Sequence, residues 1–372
     1  MRMNQKGRLA LAAGVVAVMV ALVAIFGYHD QHAPAWTTQE RWLPELATRL
    51  AQVNKVRLRS GASVVTLVRE GEHWGVEERD GFPAAFRQLQ TLLDALANAR
   101  LIERKTSQPQ YLGRLGLVDI ERPDSDAVQV EVWAGDDEPL VRVLIGNSGG
   151  ARGGRFVRAA SEQQAWLIDT APQPLADPAD WIERKLLGVA FTRVEAVERE
   201  RGGQREFLVT RNASGDDASL NAQSLPAGKA PRYSSVFDAA ARSILAMEPE
   251  DVRKATKGDH ADAVLTRITC FDGLQIEARA HKAADGNWMT LAVRVDAARV
   301  PPDAQDSAAR PVAEPTQSPL TVREEAVRLA RRIDGWAFKV SDYVAGEATK
   351  PLADYIQDEK PAAKPADGAH SR

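Results

Sequence analysis

Cysteine is all but missing from this sequence: Cys270 is the single thiol in 372 residues. One thiol excludes an intramolecular disulfide framework and any Cys-rich zinc or iron–sulfur centre. An excess of charge of one sign is missing too. Lys and Arg number 48 against 51 Asp and Glu, a formal charge of −3, which leaves no global electrostatic reason to expect a nucleic-acid partner. Neither G-x-x-x-x-G-K-[ST] nor H-E-x-x-H occurs, so the chain is not itself a Walker-type ATPase and lacks that zinc-protease signature. What remains is an ordinary globular composition, 44% hydrophobic and 27% charged, with length for two or three domains at about 150 residues each.

One long apolar run is present. Residues 9–28 (LALAAGVVAVMVALVAIFGY) carry no charge, and 20 helical residues at about 1.5 Å each reach roughly the 30 Å of a hydrocarbon core. Arg2, Lys6 and Arg8 precede the run and the first acid is Asp30. The positive-inside rule then predicts a cytoplasmic tail at 1–8, a transmembrane helix at 9–28 and an exported body. Tyr28 and Trp36 suit the outer interface. A cleaved signal peptide ending near Ala33-Pro34-Ala35 is the competing reading, but the run exceeds the 7–15 residues of a usual signal core. Without the tail, 45 basic and 51 acidic residues remain, a balance of −6 that predicts no basic patch on the body.

Beyond the run the pattern is α+β. Leu43, Leu46, Leu50 and Val53 recur at helical spacing behind Pro44. Strands are predicted at 56–59, 64–69 and 71–76. A helix opening at Pro83 places Phe86, Leu89, Leu93 and Leu96 on one apolar face. Strands follow at 128–133, 140–145, 155–159 and 165–168. The order then repeats weakly: a hairpin at 194–199 and 205–211, a helix at 233–247, and strands at 264–271, 275–280 and 288–295. This predicts two related antiparallel-sheet modules with packed helices, at 36–190 and 191–296. Five prolines mark 297–319 as a linker. A helix–strand–helix unit at 320–357 (helix 322–333, strand 336–340, helix 346–356) and a disordered tail at 358–372 complete the division.

Several stretches together carry a family resemblance. They are Leu43-Pro44-Glu45-Leu46, Val53-Asn54-Lys55-Val56, Val65-Thr66-Leu67 and Trp74-Gly75-Val76, then Lys105-Thr106-Ser107 with Leu112-Gly113-Arg114-Leu115-Gly116-Leu117. Phe156-Val157-Arg158 and Asp177-Pro178-Ala179-Asp180-Trp181-Ile182 complete the set. The chain resembles the bacterial family catalogued as domain of unknown function 4340. The resemblance implies one N-terminal membrane helix and an association with ABC-type transport systems and gliding-motility-like auxiliary proteins. It carries over no catalytic residue, because its motifs are turns and strand cores.

Motifs with possible chemistry are few. Gly146-Asn147-Ser148-Gly149-Gly150 fits G-x-S-x-G, but a nucleophile elbow requires a helix after the Ser. Here more glycines and another strand follow, the pattern of a hairpin loop. His29 and His32 flank Asp30 without further ligands, and His73 sits in a polar turn beside Glu72 and Trp74. His260 lies between Asp259 and Asp262 in a stretch that reads as a solvated connection. Asp124, Asp126, Asp136, Asp137 and Glu138 lack calcium-loop spacing and read as exposed turn acids. Trp74, Trp133, Trp166, Trp181, Trp288 and Trp336 alternate within strands or follow turns, as core residues do. Cys270 reads as a small buried hydrophobe.

The sequence therefore predicts a single-pass protein of the bacterial inner membrane with a cytoplasmic N-terminus and a periplasmic α+β body. The expected role is a non-enzymatic accessory subunit of an ABC-type transport or cell-envelope complex. Its partners would be the membrane and an ABC permease and ATPase or a gliding-motility-like auxiliary protein, with no nucleic acid. No catalytic, cofactor-binding or metal-binding residue is assigned. A stand-alone binding or scaffold module for envelope polymers is the alternative, and an envelope hydrolase using Ser148 a distant third.

Overall fold

The computed structural model describes residues 40–61, 63–212, 219–260, 262–299 and 321–359. The predicted tail 1–8, the predicted membrane helix 9–28, His29 and His32, most of the predicted linker and the end of the predicted tail lie outside these residues. Among the described residues no helix is long and apolar enough to cross a membrane.

The first module opens with α1 (Pro44–Arg49), started by its proline and extended by a 3-10 turn to Gln52. Four antiparallel strands meander away from it: β1 (Lys55–Arg59), β2 (Val64–Glu70), β3 (His73–Val76) and β4 (Phe82–Pro83). Then come α2 (Phe86–Ala97), β5 (Leu101–Arg104), α3 (Pro109–Leu112) and a second meander, β6 (Val128–Trp133), β7 (Val141–Ser148), β8 (Arg155–Ala159) and β9 (Ala165–Ile168). Together they form one nine-stranded sheet in the order β4-β3-β2-β1-β6-β7-β8-β9-β5.

The second module begins with β10 (Val194–Arg201), β11 (Gln204–Thr210) and the short β12 (Asn221–Ala222) and β13 (Lys229–Pro231). It continues through α4 (Asp238–Leu245), β14 (Asp251–Lys254), β15 (Val264–Cys270), β16 (Leu274–Ala283) and β17 (Gly286–Val295). Beyond residues 300–320 come α5 (Val322–Ile333), β18 (Trp336–Val340), α6 (Asp342–Thr349) and β19 (Ile356–Asp358). Eight strands line up as β12-β11-β10-β15-β16-β17-β18-β14, and β13 pairs with β19 apart from them. Residues 336–340 thus stand inside the second sheet, between β17 and β14.

The two sheets share a path. Counting strands within each module and leaving out β3, β4, β12 and β13, both run second-first-fourth-fifth-sixth-seventh-third. A hairpin forms one side, a helix (α2 or α4) carries the chain across, and the third strand (β5 or β14) closes the far edge against the last. Equivalent strands also carry equivalent charge ladders of opposite sign. In the first sheet Glu131 on β6 stands in register between Arg57 on β1 and Arg142 on β7. In the second, Arg267 on β15 stands between Glu198 on β10 and Glu277 on β16.

Apolar faces of both sheets and of α1, α2, α4, α5 and α6 meet in one continuous core. A smaller cluster of Leu112, Leu117, Ile120, Ala127, Leu144 and Ala165 lies apart from it. Between the modules, Phe82 of β4 sets its edge against Trp336 and Phe338 of β18, with ring centroids 4.9 and 5.9 Å apart.

Three sequence expectations need correction. The helix expected to open at Pro83 starts at Phe86, because Pro83 is held in β4 opposite Gly75. Its buried face is Leu89, Leu92, Leu93 and Leu96, whereas Phe86 is 55% exposed, since the first turn overhangs the core. The helix expected at 233–247 spans only Asp238–Leu245, with turns before it. The last helix, expected at 346–356, is Asp342–Thr349, capped by Ser341; Lys350-Pro351 ends it, since proline disfavours a helical residue before it.

Candidate functional site

The G-x-S-x-G stretch is a hairpin. Ser148 ends β7 opposite Arg155, and the Gly149 N–H donates to the Gly154 carbonyl at 3.0 Å. A side chain at Gly149 would collide with the Gly153 carbonyl oxygen, and one at Gly154 with that of Ile168. These glycines permit close backbone approach, and the serine is followed by one 3-10 turn, Gly150–Arg152, and then β8 rather than by an α-helix.

The remaining singled-out residues scatter. His73 is exposed at the start of β3 and His260 is exposed in a 3-10 turn. Asp124 pairs with Arg122 at 2.9 Å and Asp136 with Arg49 at 2.7 Å. Trp74, Trp181, Trp288 and Trp336 are buried, while Trp133 and Trp166 are half-buried. Cys270 is buried on β15, and burial pushes its thiol up to about 12.

Asp259 is a correction: read from sequence as solvated, it is 2% exposed. Arg253 of β14 donates to both its oxygens at 2.8 and 2.5 Å, and the Thr256 N–H donates at 2.6 Å. His281 Nε2 of β16 lies 3.1 Å from the same carboxylate. The Arg253 guanidinium lies 4.2 Å from the Trp288 ring centroid, and the Trp288 indole N–H donates to Asp285 at 2.9 Å. Arg253 holds the Asp259 carboxyl well below the usual carboxylate range. This ties β14, the following turn, β16 and β17 together. Sequence reasoning missed it because the partners stand 6 and 22 positions from Asp259 and meet only across the sheet.

A groove of about 890 Å³ lies where α5 faces β3, β4 and the start of α2. Phe86 on one wall and Val327 on the other are 55% and 53% exposed. Helical spacing gathers Arg323, Arg328, Arg331 and Arg332 on the outward side of α5, opposite the buried Val322, Ala326, Leu329 and Ile333. Arg323, Arg328 and Arg331 have no ion-pair partner among the described residues. Arg332 reaches the Lys185 carbonyl at 3.5 Å. Of the nearby acids, Glu324 is taken up by the Thr321 cap and Glu183 accepts the Lys185 N–H. Chain-wide charge predicted no basic patch; α5 makes one, because averaging over the sequence hides what one helix face collects. The groove meets a second, apolar hollow of about 520 Å³ bounded by α1 and α2, with Glu72, Trp74 and Phe86 shared.

No curated protein and no solved structure matches the chain. Residues 74–267, just over half of the sequence, match the profile described as "Domain of unknown function (DUF4340)". That match runs from β3 in the first module to β15 in the second, so it covers parts of both. The chain belongs to the DUF4340 family.

Proposed function

We propose that this protein is a non-enzymatic, membrane-anchored accessory subunit of an ABC-type transport or envelope complex, its body in the periplasm and the helix at 9–28 beside a permease. The observation that carries the reading is the groove along α5. Two large apolar side chains face water across a concave surface rimmed by arginines that have no carboxylate partner among the described residues. A single folded chain gains nothing from that arrangement, whereas a protein segment with an apolar centre and acidic flanks would cover both features. The uncharged run at 9–28 ends twelve positions before Glu40, the first of the described residues. On this reading the body consists of two copies of one module, for which the common strand order is the support. The rival role, an aromatic platform for envelope polymers, draws less support because four of the seven tryptophans among the described residues are buried and the other three are half-buried.

The test is a tagged pull-down from native membranes in mild detergent, with protein identification. Wild-type protein should bring down an ABC permease and its ATPase. Val327→Asp, on an exposed position, should lose both while the protein keeps its membrane location and melting temperature. Recovery of the protein alone, or an undiminished complex with Val327→Asp, would overturn the reading.

A further inference from the structure

Arg199 of β10 is 0% exposed, and its guanidinium has no carboxylate partner among the described residues. Alternation explains its burial: Arg199 shares a strand face with Val197, which belongs to the core. Its Nε donates to the Thr266 hydroxyl at 3.2 Å, and Nη1 donates to the Lys350 carbonyl at 2.9 Å and the Tyr355 hydroxyl at 3.0 Å. Nη2 is buried with no hydrogen-bond partner among the described residues. So is Oε2 of Glu347 on α6, whose other oxygen accepts from Lys350 Nζ at 3.2 Å. Glu206 of β11, an acid of the same hairpin, is taken by Arg201 at 2.7 Å. Burial therefore weakens the hold of the Arg199 guanidinium on its proton. A buried charge without a counter-ion is costly, and orphaned polar atoms add to the cost.

Two of the three groups that hold Arg199 belong to residues 350–358. Tyr355 in that segment is fully buried, stacked on Phe237 with ring centroids 5.0 Å apart and set edge-on to Phe207 at 5.4 Å. Elsewhere the segment is thinly tied. β19 pairs only with β13, through three residue pairs, apart from the eight-stranded sheet. One of the three is Pro231, which has no N–H to give the ladder. At the outer end Lys229 reaches Asp358 at 2.6 Å, but the Asp358 side chain is 89% exposed, so the pair adds little. The Gln357 carboxamide reaches the Pro231 and Arg232 carbonyls only at 3.5 and 3.4 Å.

We infer that residues 350–358 form a clasp that opens as a unit while the eight-stranded sheet stays folded, uncovering Phe207, Phe237 and Arg199 and freeing the edge of β13. Tyr355 holds the closed state. Opening gives up its ring contacts but returns the Arg199 guanidinium to water, which offsets part of the loss. The strands β10, β15 and β16 that carry Arg199 and Thr266 keep their own pairing throughout. Opening therefore requires less free energy than unfolding of the module, the property of elements that move in folded proteins. The inference does not depend on the transport reading.

The test is native-state hydrogen exchange on the full chain in detergent, at rising urea below the unfolding transition. The reporters are the N–H groups of Arg232, Tyr355 and Glu359, which donate to the carbonyls of Tyr355, Leu352 and Gly228. They should exchange at least about tenfold faster than the β15 and β16 amides and respond little to urea, because a small opening exposes little surface. Ile268→Val, a mild change in the core face of β15, should speed β15 and β16 exchange about two- to tenfold and leave the reporters unchanged. An arginine-selective dicarbonyl should modify Arg199 at urea concentrations where β15 and β16 are still protected. The inference fails if the reporters share the rate and urea slope of β15 and β16, or if Ile268→Val speeds both alike. Modification of Arg199 only once β15 and β16 lose protection would also overturn it.

Discussion

Arg79 and Asp251 join the two modules through a two-pronged ion pair: Nε of Arg79 donates to one Asp251 oxygen at 2.5 Å and a terminal nitrogen to the other at 3.0 Å. Arg79 lies in the turn between β3 and β4, and Asp251 is the first residue of β14. The pair is 172 positions apart in sequence and less than one-third exposed at both ends. It lies near the contact of Phe82 with β18, so polar and apolar links act on one boundary.

Removing either member should cost about 1–2 kcal/mol, the range for partly shielded, charge-assisted hydrogen bonds. A double-mutant cycle with Arg79→Ala and Asp251→Ala is expected to return a coupling near 1 kcal/mol in urea unfolding. Additive losses would mean that the two side chains act independently.

Phe82→Ala should be more damaging. The ring is 1% exposed and meets Trp336 and Phe338 edge-on. Truncation of a buried Phe costs about 3–5 kcal/mol, and this one lies on the module boundary. Unfolding followed by tryptophan fluorescence is expected to change from one cooperative transition to two.

Asp259 sets part of the acid limit of stability. Arg253 lowers its folded-state pKa below the unfolded value of about 3.9, so near that value the unfolded chain binds more protons. Its stabilising contribution is complete above the unfolded pKa and is lost as pH falls toward the folded one. Asp259→Asn should lower the melting temperature at pH 7. It should also make stability fall less steeply than wild type as pH drops below about 4, which a melting series across that range checks.

The Cys270 thiol should be inert in the folded protein. Burial raises it to about 12, so at pH 8 the thiolate is scarce and the sulfur inaccessible. A chromogenic disulfide reagent should report no reactive thiol in native protein and one per chain in guanidinium. Rapid native labelling would show that β15 opens locally.

Period-two and period-3.6 patterns made most elements legible, because a buried face imposes its own repeat on the residues that line it. β8, β9, β18 and α5 lie at the residues the alternation indicates. Elements with little exposed-versus-buried contrast were not readable. β5, β12, β13 and β14 span four residues or fewer and owe their existence to a neighbouring strand's hydrogen bonds. Phe86 misled for a related reason: it has the spacing of a core residue, but its helical turn extends past the core.

Local chemistry in the sequence alone determined the α+β class, the uncharged run at 9–28, the glycine hairpin after Ser148 and the family resemblance. Tertiary structure decided what depends on which strands become neighbours. It placed residues 336–340 inside the second sheet, gave seven strands of each sheet a common order, and buried Asp259 against Arg253 and His281. It also gathered arginines beside Phe86. Periodicity encodes which face of an element is buried; it does not encode which element will lie beside it, and the α5 groove is made by such neighbours.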